Sequence, residues 1–323
     1  MAEHNVTVES TLTALMENRK YAAVKDMLVT MNPADIASIF DELDEDKIPL
    51  MFRLLPKSLA ADTFVEMESE HQEMLIRGFS DKELGEVVDE LNVDDAADLA
   101  DEMPANVVSR ILAQASPEKR REINEILRYP ENSAGSIMTT EFVSLRVDMT
   151  VAEAIQRIRL TGVDKETIYT CYVTENRHLL GILSVKDLLL TLDDNKRVGE
   201  IMDTNVISVN TLTDQEEVAH RLSKYNFIAL PVVDTENRMV GIVTFDDAMD
   251  VIEEETTEDI EIMGGMTPSE KPYLRSSPVE LFKHRIPWLM LLMVSATFTG
   301  MIINGFESAL AAQVVLTSFI PML

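Results

Sequence analysis

Apolar residues recur through the first third of the chain at a fixed period. Met31, Leu43, Leu55, Met67, Phe79, Leu91, Met103 and Ala115 lie 12 positions apart. The residue following each is Asn32, Asp44, Pro56, Glu68, Ser80, Asn92, Pro104 or Ser116. Most of these are N-caps, or prolines that end one helix and open the next. Helices of two to three turns stacked at right angles fit this spacing, so residues 1–129 read as an α-solenoid of short helices.

A second, longer repeat occupies the middle of the chain. Ile137-Met138-Thr139 returns as Ile201-Met202-Asp203, and Tyr172-Val173-Thr174-Glu175-Asn176 as Val232-Val233-Asp234-Thr235-Glu236-Asn237. Gly181-Ile182-Leu183-Ser184-Val185-Lys186-Asp187 returns as Gly241-Ile242-Val243-Thr244-Phe245-Asp246-Asp247. Each copy reads strand, helix, strand, turn, strand, helix, with Glu-Asn turns joining the β-rich runs.

Beyond the repeat, Asp247, Asp250, Glu254, Glu258 and Glu261 follow one another in steps of 3, 4, 4 and 3. That spacing puts five carboxylates on one face of a helix, where like charges cost a few tenths of a kcal/mol per pair. A shared hard cation or a basic partner reverses the sign; a solvated helix face is the plain alternative. A connector bearing Pro268, Pro272 and Pro278 leads to Ile286–Ile303, 18 residues without a charge. As a helix this run is about 27 Å long, enough to span a bilayer core. A buried helix of a soluble protein is its alternative reading. Ala296 and Gly300 form a small-xxx-small pair suited to close helix packing. Lys283, His284 and Arg285 precede the span, so the positive-inside rule makes everything upstream cytoplasmic. Ser308 to Leu323 is a second apolar stretch and reads as part of a membrane domain cut short. Met1 to Ser10 lacks the basic and apolar regions of a cleaved signal peptide.

Charge narrows the partners. The 57 acids against 28 Lys and Arg give a formal charge of −29, which disfavours nucleic acid and favours cations or basic proteins. A hydrophobic content of 46% nevertheless supports folded cores. The single Cys171 excludes an internal disulfide and, within Thr170-Cys171-Tyr172-Val173, reads as a core thiol. One cysteine and five histidines without a His-xxx-His pair weigh against zinc. No Walker loop, nucleophile elbow or paired histidine supports an enzyme.

The long repeat closely resembles a tandem pair of CBS domains. The Gly-hydrophobic-hydrophobic-Ser/Thr-x-x-Asp signature stands at Gly181, Ser184 and Asp187 and again at Gly241, Thr244 and Asp247. An acidic helical solenoid, two CBS domains, a connecting helix and a first membrane helix followed by Gly305-Phe306-Glu307-Ser308 resemble, in that order, the MgtE family of magnesium transporters and channels. The fold class implied is multidomain α plus α/β: the solenoid (1–129), CBS βαββα repeats (130–199 and 200–256), a connecting helix and linker (257–285), and a transmembrane part (286–323).

The resemblance implies a homodimer in lipid at the inner or plasma membrane, whose cytoplasmic domains bind Mg2+ and close the pore. On this sequence it implies Mg2+ ligands at Asp214 and Glu216, at Asp247, Asp250, Glu255, Glu258 and Asp259, and in the solenoid at Asp94, Asp95 and Asp98. Scattered carboxylates suit Mg2+, which takes oxygen ligands and keeps several waters. Glu216 has a plain alternative as a helix-start acid, and Asn226 stands where some relatives are expected to carry Asp. Nucleotide-binding CBS pairs imply ATP or AMP held by Ser184, Asp187, Phe227, Thr244 and Asp247; the bland reading is that the Ser, Thr and Asp only start a helix. Glu307 is left outside the pore, since a carboxylate in lipid faces a partner helix, water or the interface. Two other functions stay open: an adenine nucleotide sensor, and a membrane-anchored interaction protein that transports nothing.

Overall fold

The structure is a computed structural model and describes residues 2–269 and 276–305. The chain forms two compact units, Met1–Met249 and Asp250–Leu323.

The first unit opens with helices α1 (Ala2–Glu17), α2 (Tyr21–Leu28), α3 (Pro33–Glu42), α4 (Ile48–Phe52) and α5 (Lys57–Val65). It continues through α6 (Ser69–Gly78), α7 (Asp81–Glu90), α8 (Val93–Glu102), α9 (Ala105–Gln114) and α10 (Pro117–Ile126). The periodic apolar residues fall at the bends between these helices. Leu43, Phe79, Leu91, Met103 and Ala115 are C-caps in extended backbone, and each is buried. Each therefore ends a helix and fills the core in the same step.

The polar residue that follows opens the next helix. Asn32 accepts from the Ala34 N–H, Ser116 accepts from that of Lys119, and Ser80 forms a capping box with Glu83. Asp44 does not cap. It pairs with Lys47 at 2.6 Å within a turn, and the helix waits until Ile48. The reason is Pro49: its ring is tolerated only in a helix's first turn, so α4 is short. Rungs of the solenoid are joined across about 30 residues by Arg53–Glu83 at 2.8 Å, Lys57–Glu86 at 3.2 Å and Arg110–Asp81 at 3.1 Å.

Two small sheets follow. In the first, β1 (Phe142–Arg146) pairs in parallel with β2 (Thr167–Glu175), which pairs antiparallel with β3 (His178–Ser184). Helix α11 (Val151–Thr161) makes the crossover, and α12 (Val185–Leu190) follows β3. In the second copy, α13 (Val198–Ile201) precedes β4 (Val209–Asn210), α14 (Gln215–Tyr225), β5 (Ala229–Val233), β6 (Met239–Thr244) and α15 (Phe245–Met263). The strand pairings are the same. The Glu-Asn turns obey their chemistry: Asn176, Arg177 and Asn237 adopt positive φ, as tight hairpins require.

The signature glycines have a packing reason. Thr139 and Ile242 exchange backbone hydrogen bonds of 2.8 and 2.9 Å, and Ile182 and Asp203 exchange two of 2.9 Å. These paired crossings bind each repeat to the other. A Cβ on Gly241 would lie 2.6 Å from the Thr139 carbonyl oxygen, and one on Gly181 2.8 Å from that of Asp203. Cys171 is buried as expected, and burial pushes its thiol up to about 12.

In the second unit, α15 ends at a turn where Gly265 takes φ +69° against the Trp288 ring. The Glu261 carboxylate is buried and accepts from the Ser269 N–H at 2.8 Å. Helix α16 (Pro278–Gly305) starts eight residues before the uncharged run, because Ser277 and Glu280 cap it reciprocally and Pro278 takes its first position. Pro278 therefore opens the helix instead of belonging to the connector. Among the described residues, α16 is the one helix long and apolar enough to cross a membrane. Pro272, Gly305-Phe306-Glu307-Ser308 beyond its glycine, and the stretch from Ser308 to Leu323 lie outside the described residues.

Candidate functional site

The solenoid and the second repeat bring carboxylates together. Asp94 and Asp95 occupy the first turn of α8; Asp246 and Asp247 occupy the first turn of α15. Glu166 lies just before β2, its N–H donating to the Glu141 carbonyl at 2.9 Å.

The electrostatics tie these acids into one group. Burial holds Asp94 well above the usual carboxylate range, and the charges of Asp247, Asp95 and Glu166 add to it. Burial pushes Glu166 up to about 7, reinforced by Asp246, Asp247 and Asp95. Asp247 is pushed up to about 6 by burial and by Asp246 and Asp95, against hydrogen bonds from Thr244 that favour its charge. Asp95 is raised too, chiefly by burial and then by Asp246.

Two atoms define what the group lacks. Asp94 Oδ1 and Glu166 Oε2 are buried without a hydrogen-bond partner. Buried polar atoms are nearly always satisfied, and an unsatisfied one implies an ion or water. The nearby cation does not meet this need. Lys119 donates from Nζ to the carbonyls of Leu91 and, at 3.2 Å, of Asp89, closing the end of α7. Burial lowers its pKa, although Glu141, Asp89, Asp95 and Asp94 all favour its charge. All the donors are hard oxygens, the set that Mg2+ takes.

Of the sequence candidates, the structure brings together Asp94, Asp95 and Asp247. Asp98 is exposed one turn further along α8. Asp214 and Glu216 stand at the exposed start of α14, where Asp214 caps the helix by accepting from the Glu216 N–H at 3.0 Å. Neither is among the main charges acting on Asp94, Glu166 or Asp247. Asn226 is the left-handed C-cap of α14, at φ 53°, a position asparagine tolerates well. Asp250, Glu258 and Asp259 are exposed and Glu255 is half-buried in the second unit. Glu166, Asp246 and Glu141 were missed. The Asp246-Asp247 doublet could have flagged one of them, but no spacing marks Glu166.

The nucleotide candidates divide as well. Ser184 donates to the Asp187 carboxylate at 2.6 Å on an exposed edge. Thr244 donates in the same way to Asp247, which is already part of the acidic group. Phe227 stacks on Tyr225, with ring centroids 5.5 Å apart.

A helical solenoid whose acids meet those of a CBS-like pair is the class of module that the fold defines. Comparison with known proteins sharpens that class. Residues 31–132 match the family model of the MgtE intracellular N domain, and residues 134–194 and 198–254 each match the CBS domain. The magnesium transporter MgtE of Thermus thermophilus is 39% identical over 306 residues, covering 93% of this chain and 68% of the relative. That of Bacillus subtilis is 32% identical over 313 residues, covering 95% and 68%. A crystal structure of the cytosolic domain of the Mg2+ channel MgtE in complex with ATP superposes with a TM-score of 0.71 at 37% identity. It covers 75% of this chain and 99% of the other. The chain belongs to the MgtE family of magnesium transporters.

Proposed function

We propose that this chain takes part in Mg2+ transport as the cytoplasmic sensor and gate of a homodimeric MgtE-type channel. The observation that carries this reading is the group of buried Asp94, half-buried Asp95, Glu166 and Asp247, and exposed Asp246 beside them, with two buried oxygens lacking partners. Mg2+ shared between α8 and the start of α15 neutralises the group and draws the solenoid onto the second CBS repeat. Without Mg2+ the carboxylates repel one another, and the solenoid swings away. The remaining acids Asp98, Asp214, Glu216, Asp250, Glu255, Glu258 and Asp259 supply weaker sites. Helix α16 anchors the gate in the inner or plasma membrane as one span of a multi-pass assembly.

ATP or AMP is a second ligand in this reading, supported by the ATP complex of the relative. Thr244 and Asp247 would hold the ribose and Phe227 would lie against the base in the second CBS cleft, with Ser184 and Asp187 as the matching pair of the first repeat.

Limited proteolysis of the full chain in detergent tests the sensor. Millimolar Mg2+ is expected to protect the segment joining α10 to β1, and EDTA to expose it. Identical digestion in both buffers contradicts the proposal.

A further inference from the structure

We infer that Asp41, Glu68 and His71 form a separate metal site in the solenoid, one that prefers a first-row transition ion such as Zn2+ or Mn2+ to Mg2+. Asp41 Oδ1 lies 2.8 Å from His71 Nδ1. One ligand atom from each of the three residues lies within 4.8 Å of the other two. The site is sheltered: the side chains of His71 and Asp41 are 15% and 8% exposed. It shares no residue with the acidic group of α8 and α15.

The local structure supports it. Glu68 is the extended N-cap of α6 and His71 its third residue, so one short segment supplies two of the three ligands. Asp41 lies in the last turn of α3, which carries no basic residue. A carboxylate there opposes the helix macrodipole, whereas a cation bound to it is favoured.

The donor set decides the metal. Mg2+ takes oxygen ligands and gains little from an imidazole. Ions from Mn2+ to Zn2+ accept mixed nitrogen and oxygen sets, and affinity for a given site rises from Mn2+ to Cu2+ and falls back at Zn2+. Three protein ligands leave a coordination position for water, as in exchangeable sites and unlike closed structural ones. A bound ion would tie α3 to α6 across the same span that Arg53–Glu83 and Arg110–Asp81 bridge elsewhere. The solenoid would then respond to transition-metal supply independently of Mg2+.

Calorimetry on the full chain in detergent, freed of metal and held in millimolar Mg2+ to saturate the oxygen sites, is the test. One Zn2+ per chain is expected to bind, and equally well in Asp94→Asn, which separates this site from the proposed Mg2+ sensor. Losing an outer-shell partner already costs ~10–100-fold in metal affinity, so His71→Gln and Asp41→Asn are each expected to cost ~100-fold or more. Asp41→Asn keeps an acceptor for His71, so a purely structural His–Asp pair would leave Zn2+ binding unmoved by it. Should a variant fail to fold, pulsed electron paramagnetic resonance of the Mn2+-loaded native chain in excess Mg2+ replaces it. Coordinated imidazole nitrogen is then expected in the echo modulation. No Zn2+ uptake in Mg2+, unaltered uptake in both variants, or an echo without nitrogen overturns the inference.

Discussion

The carboxyl of Asp94, in the first turn of α8, is held well above the usual carboxylate range by burial and by the charge of Asp247, in the first turn of α15. One residue belongs to the solenoid and the other to the last helix of the second repeat. The helix N-termini on which they sit favour negative charge, but only by about 0.3–1 kcal/mol each. Burial and mutual repulsion outweigh that. A cation shared by the two elements, as proposed above, would relieve that repulsion.

Neutralising the pair follows directly. Asp94→Asn combined with Asp247→Asn is expected to stabilise the Mg2+-free chain by on the order of 2 kcal/mol, because two like charges no longer need burying. The same change removes ligands, so the rise in melting temperature caused by Mg2+ should shrink. Melts in EDTA and in Mg2+ check both effects. A double variant whose Mg2+ shift equals that of the native chain would return these acids to a passive role.

The pH dependence has a fixed sign. Glu166 and Asp247 titrate near 7 and near 6 in the folded chain, against about 4 when unfolded. Between those values the native state holds more protons than the unfolded state, so stability falls as pH rises. In EDTA, stability from these groups should therefore be greatest below about pH 4 and lost by about pH 7, while Mg2+ should flatten the slope. Urea titrations across this range measure it. A metal-free chain that gains stability from these carboxyls as pH rises would contradict the shifts.

Glycine substitutions separate packing from propensity. Gly241→Ala pushes a Cβ to 2.6 Å from a backbone oxygen and 2.7 Å from Met138 Sδ, and should cost about 1–3 kcal/mol by overpacking. Gly85→Ala, inside α7 and no closer than 3.8 Å to any neighbour, should stabilise by up to ~1 kcal/mol. Denaturant midpoints for the two variants are expected to move in opposite directions.

Much of the fold was legible because its signals are local. The 12-residue period named Leu43, Phe79 and Leu91, which the structure shows to be inward-turning C-caps. The direct repeat named Gly181 and Gly241, whose crossings with Asp203 and Thr139 are close enough to exclude a side chain. Where reading failed, the cause was local at Asp44, whose capping role was displaced by Pro49.

The site was only half legible. Periodicity along one helix grouped Asp247 with Asp250 and Glu258, but the buried partners of Asp247 are Asp94 and Glu166, brought in by tertiary packing. His71 illustrates the same limit. A search for paired histidines along the chain passes over an imidazole whose carboxylate, Asp41, comes from another helix.

The separation of the solenoid from the CBS repeats, followed against Mg2+, tests the central claim most directly. Spin labels at Asn106→Cys in α9 and Glu200→Cys in α13 occupy exposed sites outside the acidic group, while the native Cys171 is buried and escapes labelling. Double electron–electron resonance on the full chain is expected to give one narrow distance in Mg2+ and a longer, broader distribution in EDTA. In Asp94→Asn with Asp247→Asn, Mg2+ should leave the distribution nearly unchanged. Superimposable distributions for the native chain with and without Mg2+ would contradict the account.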